Sequence, residues 1–121
     1  MKFSLIGVST AALVLVSLTG CKFGGSTVAT LKSDPPGADA YMVPSTKWKE
    51  KSGASLNADS AAWIARNRDW LKDYWKGKTP VENTSVGDYN QIFVVIKGDR
   101  IEFREVVPIP KEWNVFSLDL K

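Results

Sequence analysis

Histidine is absent from the 121-residue sequence, and cysteine occurs once, at Cys21. Without histidine, no side chain has an unperturbed pKa near neutrality, so histidine-based proton transfer and metal ligation are excluded. A single cysteine can neither close an internal disulfide, nor complete a Cys-rich zinc site, nor work with a histidine base. A marked excess of one charge is missing too: 16 Lys+Arg stand against 13 Asp+Glu, a formal net charge of +3, and the two signs alternate along the chain. No clustered basic patch marks a nucleic-acid partner. The longest apolar stretch falls short of the roughly 20 residues needed to span a bilayer core. What is present, 44% hydrophobic and 11% aromatic residues, suffices for one small domain. It excludes a disordered tail, a multi-domain enzyme and a polytopic membrane protein.

Carboxylates are then the only candidates for general acid or base. Glu102 and Glu105 are an odd number apart, so on a regular strand they point to opposite faces. Asp69 and Asp73 share a helix face, but Arg66, Lys72 and Lys76 are interspersed with them, the pattern of a solvated charged surface. No Gly-rich phosphate loop, Ser-x-x-Lys or Gly-x-Ser-x-Gly motif occurs. The expectation is a protein that is not an enzyme, with no cofactor and no metal.

The N-terminus carries an address. Lys2 is followed by an uncharged, mostly apolar stretch from Phe3 to Leu18, a charged n-region and an h-region. Leu18-Thr19-Gly20-Cys21 closes it and resembles the lipobox of bacterial lipoproteins. The resemblance implies removal of residues 1–20 as signal peptide and acylation (diacylglyceryl, palmitate-type chains) of Cys21, which becomes a membrane anchor and not a nucleophile. The alternative is an ordinary secretory signal followed by a stray cysteine. Lys22 stands where enteric-type lipoproteins retained in the inner membrane usually have Asp, which favours the outer membrane in a Gram-negative host. Residues 21–27 read as lipidated cysteine and short flexible tether.

Beyond the tether, strand and turn signals alternate. Strands are expected over 28–33, 39–43, 81–86, 91–97, 101–107 and 113–120, with Asp34-Pro35-Pro36-Gly37, Gly87-Asp88 and Gly98-Asp99 as turns. Residues 44–56, polar and rich in Lys, Ser and Gly, read as loop. From a cap at Asn57 or Asp59 the period changes to that of one amphipathic helix over about 58–76, stopped by Gly77. At about 100° per residue, Trp63, Ile64, Trp70, Leu71, Tyr74 and Trp75 fall within an arc of about 140°. The fold class expected is mostly β, a small antiparallel β-sandwich of about six strands with one inserted helix.

Three turns in order, Ser33-Asp34-Pro35-Pro36-Gly37-Ala38, Gly77-Lys78-Thr79-Pro80 and Gly87-Asp88-Tyr89, resemble those of the PEGA domain, a small extracytoplasmic β-sandwich module. The likeness covers most of 28–120, and the domain expected from it spans 28–121. Pro36 replaces the family's Glu, and residues 44–76 form an insertion where the family has a short hairpin. The family implies a non-catalytic envelope module that binds or spaces, and supplies no catalytic residues.

The aromatic stripe of the insertion has two readings. It packs the helix onto the sheet, or some of Trp63, Trp70 and Trp75 stay exposed for a sugar ring or a protein partner. Trp48, set among Lys47, Lys49 and Lys51, is hard to place in a core and is expected to face the membrane surface or a partner. The function expected is a lipid-anchored cell-envelope module whose 44–76 insertion contacts an envelope protein or glycan. The alternative is a small inhibitor or phage superinfection-exclusion lipoprotein that blocks an incoming factor at the membrane.

Overall fold

Gln91-Ile92-Phe93-Val94-Val95-Ile96 is apolar at nearly every position, and a strand of that composition has to be covered on both faces. The computed structural model, which describes residues 27–121, covers it on both. The elements run β1 (Thr27–Asp34), β2 (Asp39–Pro44), α1 (Ser45–Ser52), α2 (Ser60–Arg66), α3 (Arg68–Leu71), a 3₁₀ turn (Lys72–Tyr74), β3 (Trp75–Lys78), β4 (Val81–Val86), β5 (Gln91–Lys97), β6 (Arg100–Val106) and β7 (Asn114–Asp119). The stretch read as signal segment, the Leu18-Thr19-Gly20-Cys21 motif and the residues read as tether up to 26 lie outside the described residues, while Thr27, expected to end the tether, is buried and opens β1.

The protein is mostly β. A three-stranded sheet of order β4-β1-β7 faces a four-stranded sheet of order β3-β2-β5-β6. Between them lie Ala29 and Leu31 of β1, Val86 of β4 and Leu118 of β7 against Met42 of β2, Phe93 and Val95 of β5 and Val106 of β6. The alternate residues of β5, Ile92, Val94 and Ile96, point the other way and form a second core with Tyr41, Val43, Trp48, Ile64 and Leu71. The helices thus make a third layer on the outer face of the four-stranded sheet. Each of these fully buried large side chains contributes roughly 1.5–3 kcal/mol, so the third layer matters to a domain of this size.

Four expectations are corrected. Among the described residues there are seven strands, because the chain turns extended at Trp75 (φ −68°, ψ 135°) and β3 pairs with β2 through Tyr41↔Trp75, Ala40↔Gly77 and Asp39↔Lys78. The sheets are not wholly antiparallel, since β1 and β7 run parallel from Ala29↔Asn114 to Asp34↔Asp119. The single helix over 58–76 is broken at Asn67 (φ −122°, ψ 30°), whose side-chain Nδ2 donates to the Trp63 carbonyl at 2.7 Å in competition with the helix ladder. Residues 45–52, read as loop, form α1, which Gly53 ends in the left-handed region (φ 79°) with its N–H donating to Lys49 O at 2.8 Å.

Two of the three turns lock together. Buried Thr79 donates its N–H to Ala38 O (2.8 Å), accepts from Gly37 N at its carbonyl (2.9 Å), and accepts from Ala38 N at Oγ1 (3.0 Å). Ser33 Oγ joins Thr79 Oγ1 at 2.5 Å. One pole of the sandwich is therefore closed by backbone and hydroxyl bonds.

Candidate functional site

The helical layer is built around a chain of aromatic rings. Trp48 of α1 meets Trp63 of α2 at a centroid distance of 4.8 Å, Trp63 meets Trp70 of α3 edge-on at 5.5 Å, and Trp70 meets Tyr74 at 5.1 Å. These separations and tilts are those that ring quadrupoles favour. Although the helix is broken, Trp63, Ile64, Trp70, Leu71 and Tyr74 still reach one core, so the shared face inferred from their spacing holds over the break.

Exposure grades along this chain. Trp48 is 2% exposed, which corrects the outward placement expected for it: its lysine neighbours lie on the solvent side of α1 while the indole turns inward. Trp63, Trp70 and Tyr74 are partly buried, with faces or edges reaching solvent. Trp75 is 51% exposed but stands apart at the sheet edge, its Nε1 donating to Asp39 at 3.1 Å.

Two hollows flank the rings. One, of about 170 Å³, is floored by Trp48 and Trp63 and rimmed by Ser52, Asn57, Asp59 and Arg66. The other is a shallow groove of about 370 Å³ between α1 and α3, lined by Lys47, Glu50, Lys51, Trp70 and Tyr74. Lys47 and Glu50 form an exposed pair at 3.7 Å. Flat aromatic surface beside movable charged groups suits stacking and hydrogen bonding. The lysines and Glu50 of this groove were not singled out from sequence, because only the helical period of α1 brings residues 47, 50 and 51 to one side.

Asp39 is subject to burial, which acts to raise its pKa, but hydrogen bonds from Lys78 (3.0 Å) and Trp75 together with the Lys78 charge hold it below the ordinary carboxylate value. A general acid needs the opposite shift. Burial and the nearby Asp39 carboxylate raise the Tyr41 phenol above its usual value. Among the described residues no cluster of His, Cys, Asp and Glu is placed to hold a metal, and no helix is long and apolar enough to cross a membrane.

A depressed folded-state pKa contributes stability that is present above the unfolded value and lost as pH falls through the folded one. Asp39 is therefore expected to titrate below a free aspartate, and Lys78→Met to raise its midpoint, as followed by carboxyl-carbon NMR. Identical midpoints in the two proteins would remove the pair from the account of acid stability.

No family model, curated protein or solved structure matches the chain.

Proposed function

We propose that this chain is a lipid-anchored, non-catalytic module of the bacterial cell envelope, with a PEGA-like domain whose 44–76 insertion binds a protein or glycan partner. The Leu18-Thr19-Gly20-Cys21 motif supports the anchor, and Lys22 favours the outer membrane. The two facing sheets are compatible with the β-sandwich that the PEGA likeness implies. The observation that carries the binding function is the groove between α1 and α3, where the partly exposed rings of Trp70 and Tyr74 meet Lys47, Glu50 and Lys51. Trp70 and Tyr74 form the aromatic part of this surface, and Trp63 lines the neighbouring hollow together with Trp48.

A photoreactive amino acid placed at position 51 in living cells is expected to give discrete adducts, whereas the same group at Lys32, exposed on β1, gives none. Trp70→Ala removes a ring of the kind that dominates such contacts, about 2 kcal/mol or roughly thirtyfold in affinity, and should suppress the adducts from position 51. Equal adducts from positions 32 and 51, or adducts indifferent to Trp70→Ala, would take the groove out of the function.

A further inference from the structure

The described chain begins at one pole of the sandwich, and that pole is unlike the other. Pairings place there the start of β1 (Thr27↔Val86), the start of β5 and end of β6 (Gln91↔Val106), and the start of β7 beside β1 (Ala29↔Asn114). Two of its connections, 87–90 and 107–113, expose Tyr89 (82%), Val107, Ile109 and Trp113 (83%). Val115, on the strand leaving that pole, is exposed as well. Of the large apolar side chains exposed among the described residues, only Trp75 lies elsewhere. The opposite pole, where Asp34, Lys97, Asp99, Arg100 and Lys121 gather, is charged.

These apolar groups are held in place. Asn114 is buried, accepts from Ile109 N through Oδ1 at 2.9 Å, and donates through Nδ2 to the carbonyls of Val28 and Ile109, each at 3.0 Å. The loop that carries Ile109 and Trp113 is thus fixed to β1, and its own Pro108 is fully buried. Thr27 Oγ1 donates to Asp88, which fixes the Tyr89 loop to the same strand. A buried polar side chain that satisfies several backbone groups holds a loop in one shape.

We propose that this pole inserts into the headgroup region of the bilayer that holds Cys21, with Trp113, Ile109 and Tyr89 as the inserted groups. The inference rests on the lipoprotein reading of the N-terminus. Six residue steps separate Cys21 from Thr27, and a chain covers at most roughly 3.5 Å per step, about 20 Å in all whatever its conformation. A domain of this size is roughly 30 Å across, so the pole at Thr27 stays near the surface and the charged pole cannot be pulled onto it. Trp and Tyr are the side chains that settle at a membrane–water boundary, an apolar ring inward and a polar edge outward. Charges of both signs, Asp88, Lys111 and Glu112, share the two loops, so the attachment is apolar rather than a matter of attraction to anionic lipid.

The test uses the full-length acylated protein in vesicles of phosphatidylethanolamine and phosphatidylglycerol containing a lipid brominated on its acyl chains. Brominated lipid is expected to quench part of the tryptophan fluorescence. Trp113→Phe should remove most of that quenching and Trp75→Phe should leave it intact, in high salt as in low. Ile109→Asp, at an exposed position, should shift the Trp113 emission to the red and reduce its quenching severalfold while circular dichroism stays unchanged. Protein that floats with the vesicles but shows no quenching assignable to Trp113 overturns the docking, keeps the anchor, and gives the pole to a protein partner or to water. Protein that fails to float overturns the anchor and the docking together.

Discussion

Cys21→Ser is expected to abolish fatty-acid labelling of the chain and its lipoprotein-type cleavage. Acylation of a lipobox cysteine makes a thioether, and serine has no thiol to form it. Each buried CH₂ contributes about 0.8 kcal/mol, and a single acyl chain holds a protein only reversibly, so under the proposed lipoprotein reading stable retention depends on the multiple chains that this one sulfur directs. The variant should stay uncleaved, held by its signal segment, or appear soluble if another peptidase trims it. Residues 27–121 should fold unchanged, because both hydrophobic cores are built from Ala29 onward. Metabolic labelling with a fatty-acid analogue together with membrane fractionation reads the result. Equal label and equal retention in variant and wild type would leave a conventional secreted protein in place of a lipoprotein.

Trp48→Ala is expected to cost about 4 kcal/mol of stability, within the usual range for removing a large buried aromatic side chain. Trp48 is 2% exposed and is the one buried residue of α1. An eight-residue helix does not persist in water by itself, so without its indole α1 has nothing to hold it to the sheet. The ring also floors the second core and meets Trp63, so its removal loosens α2 as well. Against a total of about 5–15 kcal/mol for a domain, such a loss is large. Urea unfolding should show a much lower midpoint together with reduced helical ellipticity, whereas Trp75→Ala, half-exposed at a sheet edge, should cost under about 1 kcal/mol. A shift for Trp48→Ala as small as that for Trp75→Ala would mean that the helical layer stands without it.

Much of the β framework was legible because its signals are local. The apolar run of β5 demanded cover on both faces, and Pro and Gly marked most of the strand ends. Partners across the sheet were not: the alternation in β7 says which residues face inward but not that the neighbour is β1 or that it runs parallel. α1 escaped because seven of its eight residues are solvent-facing or only partly covered, which leaves one apolar position and no period to detect. The helix after it was anticipated in kind and overextended in length, since neither the Asn67 side chain's bond to Trp63 O nor the pairing of Trp75 with Tyr41 has a signature in the spacing of apolar residues. The groove between α1 and α3 was hidden for the same reason. Trp70 and Tyr74 were visible as a stripe, but the lysines that share their hollow come from a helix that the pattern did not announce.

The parallel pairing of β1 with β7 has a mechanical consequence. Because the two strands run side by side in one direction, residue 27 lies at one pole and residue 119 at the other. A force that holds the chain at its N-terminal side and pulls at its C-terminal side acts along the strand axes. Its load falls on the bridges from Ala29↔Asn114 to Asp34↔Asp119 in shear, so that they share the tension and yield together instead of opening one after another. The domain is built to resist being drawn away from whatever holds its first strand.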